Sequence, residues 1–187
     1  LWKEYEHDRD GYTEQKKAVV ERFTREAKNL YPGRYKRQAL RFARAEPEDT
    51  EALRRLARAS EAHWGYDEVF MENFDAGFNV TEDFIRRNPV YAAGERGCPA
   101  AFWGIRQDRD AWELEYFYVA EERLGRGLGK QMWEHMTGWC GKQEICRIHF
   151  VTSPQAVGFY RKMGAVRDGE TRSPVDGRPV PHFVYDL

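Results

Sequence analysis

The chain has 187 residues, of which 41% are hydrophobic and 33% are charged, and its formal net charge at pH 7 is −1. This length is typical of one compact α/β domain with an appended element. No apolar run approaches the roughly 18 residues that a membrane span needs, and residues 1–20 are too charged for a signal peptide. We therefore expect a cytoplasmic protein that does not bind membranes.

Charge is distributed unevenly along the chain. Residues 1–45 have 12 Lys and Arg against 7 Asp and Glu, whereas residues 46–83 have 3 against 11. In the basic segment, apolar residues at helical spacing predict an amphipathic helix over residues 13–30, ended by Tyr31-Pro32-Gly33. We predict a basic helical extension over residues 1–38. Its basic face is more typical of a solvated helix than of a nucleic-acid site, so a nucleic-acid partner is not favoured.

The remaining residues, 39–187, are predicted to form a separate domain of helices and strands. Apolar periodicity and turn residues predict first a strand in "LRFARA", a helix from Pro47 to Trp64 and a helical region over residues 67–88 with a break near Gly77. Strands follow in "PVYAAGE", "PAAFWGIR" and "AWELEYFYV". After a glycine-rich turn come a helix to about Trp139, a strand in "ICRIHFVT", a helix from Pro154 to Met163 and a C-terminal hairpin. The order is a meander of three strands followed by helix, strand, helix and hairpin.

Three glycines, Gly125, Gly127 and Gly129, alternate in "ERLGRGLGKQMW" before a predicted helix. Unpaired N–H groups at a helix N-terminus bind anions, so this turn is a candidate phosphate site. It is not a Walker loop, because Gln131 stands where the hydroxyl residue belongs, and not a Rossmann fingerprint, because Met132 replaces the third glycine. A tight strand-to-helix connection without a ligand is the alternative.

Four segments carry a family resemblance. They are "HWGYDE", "ELEYFYVAEERLGRGLGKQMWEHM", "VTSPQAVGFYRKMGA" and an S-x-x-x-G-R-x-x-P pattern formed by Ser173, Gly177, Arg178 and Pro181. In this order and spacing they resemble the GNAT superfamily of acyl-CoA-dependent N-acetyltransferases, over roughly residues 40–187. The resemblance implies an α/β (α+β) fold with a mixed, mostly antiparallel twisted sheet and helices on both faces. It also implies acetyl-CoA (CoA) as co-substrate and no metal.

The resemblance further implies which residues contact acetyl-CoA. Backbone N–H groups of the glycine turn would hold the pyrophosphate, with charge from Arg123, Arg126 and Lys130. Leu124 replaces the Gln or Arg that is usual in the family, and Ser153 replaces a frequent Asn and would cap the last helix. The implied contact residues are Phe117, Val119, Leu124, Gly125, Arg126, Gly127, Leu128, Gly129, Lys130, Ser153, Ala156 and Phe159.

Acetyl transfer needs a group that takes the proton of the amine, because an amine with a pKa near about 10 is mostly protonated at neutral pH. Glu113 and Glu115 are candidates, since strand alternation predicts both on one face, opposite Leu114, Tyr116 and Tyr118. The resemblance favours Glu115, with Glu113 or a chain of water molecules as alternatives. Solvated carboxylates, or carboxylates paired with arginine, are the non-catalytic alternative.

The departing thiolate needs a proton, so the reaction needs an acid. In the family this role belongs to the Tyr of an "F-Y" pair on the last helix, which is Tyr160 in this sequence. A phenol is neutral at pH 7 and can donate, so its chemistry suits the role. A backbone N–H around residues 117–119 would polarise the thioester oxygen.

The acceptor side is implied to lie in the acidic segment, residues 46–83. His63, Trp64 and Tyr66 are candidates for substrate binding, because aromatic faces attract ammonium groups and the net charge of −8 favours a cationic amine. The alternative is a pair of helices with solvated carboxylates and with aromatic side chains in the core.

These features predict an acetyl-CoA-dependent N-acetyltransferase that acts on a primary amine, in a small molecule or a peptide, by direct attack in a ternary complex. One alternative is a non-catalytic CoA-binding regulatory module of the same fold. Another is an interaction protein that binds through the basic N-terminal helix. A homodimer is left open, and the sequence does not identify the acceptor amine or the acyl chain.

Overall fold

The computed structural model describes residues 9–30, 40–109 and 111–187. The chain divides into two compact units, Leu1–Gln38 and Ala39–Leu187. In the first unit, helix α1 spans Arg9–Leu30, which confirms the predicted helix and begins it four residues earlier. The helix stop predicted at Tyr31-Pro32-Gly33 lies outside the described residues.

The second unit is built on one seven-stranded sheet. The strands are β1 (Phe42–Arg44), β2 (Val90–Glu95), β3 (Cys98–Asp108), β4 (Ala111–Val119), β5 (Arg147–Val151), β6 (Val166–Arg172) and β7 (Pro179–Asp186), and the helices are α2 (Thr50–Ala62), α3 (Glu68–Gly77), α4 (Glu82–Arg87), α5 (Leu128–Lys142) and α6 (Val157–Lys162). The strand order is β1-β2-β3-β4-β5-β7-β6. Neighbouring strands are antiparallel except β4 and β5, which are parallel. The predicted mixed, mostly antiparallel sheet is therefore confirmed.

Polar caps set the starts of two short helices. The Asp67 carboxylate accepts a hydrogen bond from the Phe70 N–H at 2.8 Å where α3 begins. The Thr81 hydroxyl accepts one from the Phe84 N–H at 3.0 Å where α4 begins. These side chains satisfy N–H groups that have no acceptor inside the helix. The break predicted near Gly77 is the end of α3.

Two apolar cores lie on the two faces of the sheet. Residues of α2, α3 and α4 pack with Phe102 on one face, and residues of α5 and α6 pack with Trp103 on the other. Phe102 and Trp103 are consecutive and both fully buried, as the alternation of side chains along a strand allows. Helices on both faces are thus confirmed.

A β-bulge at Glu115 interrupts the alternation predicted for β4. Gly104 pairs with Tyr116 and the next residue, Ile105, pairs with Leu114, so Glu115 is the extra residue. Leu114 consequently packs in the core with α5, whereas Tyr116 packs in the core with α2 to α4. The prediction that Leu114 and Tyr116 share a face is therefore wrong.

β4 and β5 separate soon after they pair. Their parallel ladder joins Trp112 to Ile148 and Glu113 to His149. Beyond these pairs both strands line one cavity, with Leu114, Glu115, Phe117, Tyr118 and Val119 from β4 and Phe150 and Val151 from β5. The sheet is thus open at the carboxyl ends of its two parallel strands.

Candidate functional site

The cavity between the separated strands has a volume of about 930 Å³. This volume is typical of sites for small molecules and cofactors. Its walls come from the end of α2 through α3, the second half of β4, the glycine turn before α5, the segment from β5 to α6, and the loop between β6 and β7. Segments far apart in sequence therefore share one site.

The glycine turn depends on the absence of side chains in two ways. Gly125 and Gly127 have φ angles of 69° and 85°, in the left-handed region that side chains disfavour. A Cβ on Gly129 would lie 3.3 Å from the Phe159 ring, so the missing side chain lets this ring pack on the first turn of α5. N–H groups of a first helical turn have no acceptor within the helix. The turn is therefore suited to hold an anion.

Most residues predicted to contact acetyl-CoA line the cavity. Leu128 does not, because it is buried in the core with α5, and the exposed Arg126 does not either. Ser153 occupies the N-cap position of a 3₁₀ turn, but its side chain makes no capping hydrogen bond, so the predicted cap is wrong. The residues that do line the cavity are Phe117, Val119, Leu124, Gly125, Gly127, Gly129, Lys130, Ser153, Ala156 and Phe159.

Tyr160 lies in the cavity wall and is only 6% exposed. Its ring centroid is 4.5 Å from that of Phe150, and its hydroxyl is hydrogen-bonded to the Thr152 side chain. Burial raises the pKa of the Tyr160 phenol well above its usual value, although the hydrogen bond to Thr152 lowers it. The hydroxyl therefore stays protonated at neutral pH and can donate to a ligand.

Glu113 and Glu115 also line the cavity, but one arginine holds both carboxylates. Arg106 Nη2 lies 2.6 Å from Glu113 Oε2, and Arg106 Nε lies 2.8 Å from Glu115 Oε2. Burial raises the pKa of Glu115, while the positive charge of Arg106 lowers it. Pairing with arginine was the predicted alternative for these carboxylates, and the role of either one as base stays a prediction.

Glu61, in the last turn of α2, is a functional candidate that sequence reasoning missed. It lines the cavity, and its carboxylate accepts a hydrogen bond from the Tyr118 hydroxyl. Burial raises the pKa of Glu61, although the Tyr118 hydrogen bond and the charge of Arg178 lower it. The charge of Glu61 in turn raises the pKa of Tyr160, so the two groups act on each other within one site.

A signal for Glu61 was present in the sequence. Leu53, Ala57 and Glu61 follow each other at intervals of four, so the glutamate continues the buried face of an amphipathic helix. Carboxylates are rarely placed on such a face without a partner. A polar residue at an apolar helical position would therefore have identified it.

His63, Trp64 and Tyr66 all line the cavity. His63 Nδ1 lies 3.1 Å from Glu121 Oε1, and Trp64 is 40% exposed. The Tyr66 hydroxyl donates to Gln155 Oε1 at 3.3 Å, which links the loop after α2 to the segment before α6. Their proposed role in substrate binding stays a prediction.

Most of the acidic charge of residues 46–83 lies outside the cavity, although residues from 60 to 78 line it, and the placement of the acceptor side in this segment stays a prediction. Of the 11 Asp and Glu residues in this segment, Glu61 alone lines the cavity. The whole wall has five basic and three acidic side chains. Five of the other acids pair with arginines outside the cavity: Asp49 with Arg96, Glu51 with Arg54, Asp75 with Arg58, Glu82 with Arg86 and Asp83 with Arg87.

The sequence model of the acetyltransferase (GNAT) family matches residues 50–165. This segment includes both separated strands, the glycine turn and Tyr160. The chain belongs to the GNAT family. No curated protein matches it.

Solved structures show the same GNAT fold. The PaiA N-acetyltransferase from Thermoplasma acidophilum, solved in complex with coenzyme A, is 19% identical with a TM-score of 0.62, over 79% of this chain and 99% of that one. The ribosomal-protein-S18-alanine N-acetyltransferase from Escherichia coli is 17% identical with a TM-score of 0.59, over 79% and 93%. A GNAT family acetyltransferase from Streptococcus pneumoniae is 18% identical with a TM-score of 0.62, over 79% and 99%.

The described part of this GNAT chain, residues 9–30, 40–109 and 111–187, contains no group of three or more His, Cys, Asp or Glu side chains that could hold a metal ion. No helix in the same residues is long and apolar enough to cross a membrane.

We predict that Gly125→Ala lowers the free energy of unfolding by about 1–2 kcal/mol and weakens CoA binding, because an L-residue is strained at a φ of 69°. A Cβ at this position would meet no atom within 4 Å, so the effect reports backbone conformation alone. Urea denaturation and titration calorimetry with CoA measure the two quantities.

Gly138→Ala is the matched control, because Gly138 lies exposed in the interior of α5 with open space around it. It should stabilise the protein by about 0.5–1 kcal/mol and leave CoA binding unchanged. Equal CoA affinity in Gly125→Ala and the wild type would show that the turn does not hold CoA.

Proposed function

We propose that this chain transfers the acetyl group of acetyl-CoA to the primary amine of a small molecule or peptide, by direct attack in a ternary complex. The observation that carries the proposal is the single cavity lined by the glycine turn, Tyr160 and Glu61. They supply an anion site, a donor for a thiolate and an acceptor for a proton, which are three groups that this reaction needs.

The residues of the cavity fit acetyl-CoA. N–H groups of residues 125–130, with the positive charge of Arg123, would hold the pyrophosphate at the N-terminus of α5. Apolar side chains of Phe117, Leu124 and Ala156 would contact the pantetheine arm. Acetyl-CoA, when bound, supplies the acetyl group as a thioester.

The Val119 N–H is the proposed donor to the thioester oxygen. The next residue, Ala120, donates its N–H to Ala100 O at the β3 edge, at 2.9 Å. N–H groups of successive residues in an extended strand point to opposite edges, so the Val119 N–H points to the edge from which β5 has separated. A backbone donor directed into the cavity can polarise a carbonyl group.

Glu61 is the proposed acceptor of the amine proton. Arg106 contacts both Glu113 and Glu115, and a cation in contact makes a carboxylate less basic. Glu61 instead accepts a hydrogen bond from a neutral phenol; burial raises its pKa, as it also raises that of Glu115, so the absence of an arginine contact is what distinguishes Glu61. A partly buried carboxylate of this kind is suited to act as a general base near neutral pH.

The Tyr160 hydroxyl is proposed to donate a hydrogen bond to the departing thiolate. As the amine nitrogen bonds to the acetyl carbon, the bond from that carbon to sulfur breaks and the amine proton passes to Glu61. Since burial raises the pKa of Tyr160, its hydroxyl stays protonated and stabilises the charge on sulfur without losing its proton.

We predict that Tyr160→Phe lowers kcat by about 100-fold while the dissociation constant for acetyl-CoA is unchanged, because the donor to sulfur is lost but the ring is kept. The assay follows CoA release with acetyl-CoA and a mixed library of amines, and mass spectrometry identifies the products. Calorimetry measures acetyl-CoA binding in parallel.

Tyr91→Phe is the control, since Tyr91 lies on β2, stacks on Trp103 and does not line the cavity. It should leave kcat unchanged. An unchanged kcat in Tyr160→Phe would remove Tyr160 from the reaction. Acetyl-CoA binding without CoA release for any amine would contradict catalysis and favour the CoA-binding module.

We predict that Glu61→Gln abolishes the rise of kcat/KM with pH that a carboxylate base produces, and lowers kcat/KM at pH 7 by about 100-fold or more. In the wild type this rise should lie above the usual carboxyl range, because burial raises the pKa of Glu61. Glu115→Gln provides the comparison. If kcat/KM no longer rises with pH in Glu115→Gln but still rises in Glu61→Gln, the base is Glu115.

The same Glu61→Gln variant should not lose stability at pH 7. A carboxyl with a raised folded-state pKa binds its proton more tightly when folded, so the free energy of unfolding falls as pH rises from 4.5 through the raised value. Gln does not titrate and can still accept from Tyr118, so this fall should be smaller in the variant. Glu72→Gln, at an exposed position on α3, should match the wild type in urea denaturation and in activity.

A further inference from the structure

Arg178 lies in the loop between β6 and β7 and lines the cavity. Its guanidinium carbon lies 4.6 Å from the ring centroid of Tyr66 and 5.0 Å from that of Phe70. The two rings stack on each other with centroids 4.0 Å apart. Contact with ring faces fixes the plane of a guanidinium and leaves its N–H edge available for a planar anion.

Within the described residues the Arg178 guanidinium forms an ion pair with Asp176 but donates no side-chain hydrogen bond. Its Nε is buried, and although Asp176 Oδ2 lies 3.2 Å away, no hydrogen bond forms. The neighbouring Arg172 differs, because its Nη1 donates to Gly177 O at 3.0 Å. The ion pair with Asp176 leaves guanidinium N–H groups of a partly desolvated cation without protein acceptors, so an anionic ligand would stabilise it further.

The opposite charge lies nearby in the same wall. Arg178 interacts electrostatically with Glu61, whose carboxylate accepts a hydrogen bond from Tyr118. The cavity therefore offers a cation and an anion close together, beside apolar rings such as Phe74 and Phe78. This arrangement is complementary to a ligand that has a positive and a negative group separated by a few bonds.

We propose that the acceptor amine belongs to a molecule that also bears a carboxylate, as an amino acid does, and that Arg178 binds this carboxylate while the amine faces Glu61. The proposal rests on the proposed acetyl transfer. A guanidinium and a carboxylate can form two parallel N–H to O hydrogen bonds, which fix the orientation of the acceptor. An amine with only positive charges would instead offer these N–H groups no acceptor and be repelled by Arg178.

The test compares acceptors that differ only in the carboxylate. Free α-amino acids and their primary amides are paired, and so are dipeptides with Asp or Asn after the N-terminal residue. Initial rates with saturating acetyl-CoA give kcat/KM for each acceptor. The ratio of kcat/KM for acid over amide is the readout, and it does not depend on the fraction of folded protein.

In the wild type we expect at least one set of pairs to favour the acid by about tenfold or more, because charged hydrogen bonds discriminate strongly against a neutral partner. A preference for the acid over the amide, among free amino acids or among dipeptides, supports the carboxylate site. The set that shows this preference identifies whether the carboxylate comes from a free amino acid or from a peptide. Arg178→Met should bring this ratio close to one, and Arg178→Lys should keep part of it.

Arg167→Gln is the matched control, since Arg167 lies on β6, pairs with Glu170 outside the cavity and does not line it. It should keep the wild-type ratio. Acetylation of acids and amides at equal kcat/KM, or an unchanged ratio in Arg178→Met, would overturn the carboxylate site and leave acetyl transfer standing. Acetyl-CoA binding without acetylation of any acceptor would overturn acetyl transfer and the carboxylate site together.

Discussion

The separation of β4 from β5 after two residue pairs is the constraint on which the rest of the site depends. Beyond Glu113 and His149, backbone N–H and C=O groups on the facing edges no longer have each other as partners, and such groups need water or a ligand. The bulge at Glu115 and the two cores on either face fix where β4 diverges. The cavity is therefore part of the fold, and a ligand with amide groups could complete the interrupted ladder.

Charge inside this opening follows from two arginines on different elements. Arg106, on β3, neutralises the carboxylates of the β4 strand, so these contribute less negative potential to the cavity than their number implies. Arg178 approaches from the hairpin loop and is held against aromatic rings of the segment after α2. Glu61 thereby has a position that the other carboxylates lack, because it faces the cavity without a cation in hydrogen-bonding contact. Because of this difference, we assign proton transfer to Glu61 and orientation of the substrate to Arg178.

Features that depend on neighbours in sequence could be predicted, and features that depend on tertiary pairing could not. The glycine turn could be predicted because alternating glycines before a helix are a local signal, and Tyr160 because the resemblance to the GNAT superfamily implies its role. The bulge was not, since it arises from the register between β3 and β4, and no residue type marks Glu115 as an insertion. Glu61 continues the helical face of Leu53 and Ala57, which is a local signal, but only the packing of α2 on the sheet shows that this one of 11 acids lines the cavity. Leu128 was expected to contact acetyl-CoA but lies in the core, because the first turn of α5 packs against the sheet.

The crystal structure of this protein with CoA bound tests the central claim most directly. We expect the pantetheine arm between β4 and β5, the pyrophosphate within hydrogen-bonding distance of N–H groups of residues 125–130, and the sulfur within reach of the Tyr160 hydroxyl. A CoA molecule bound elsewhere, with the space between β4 and β5 left empty, would contradict the account.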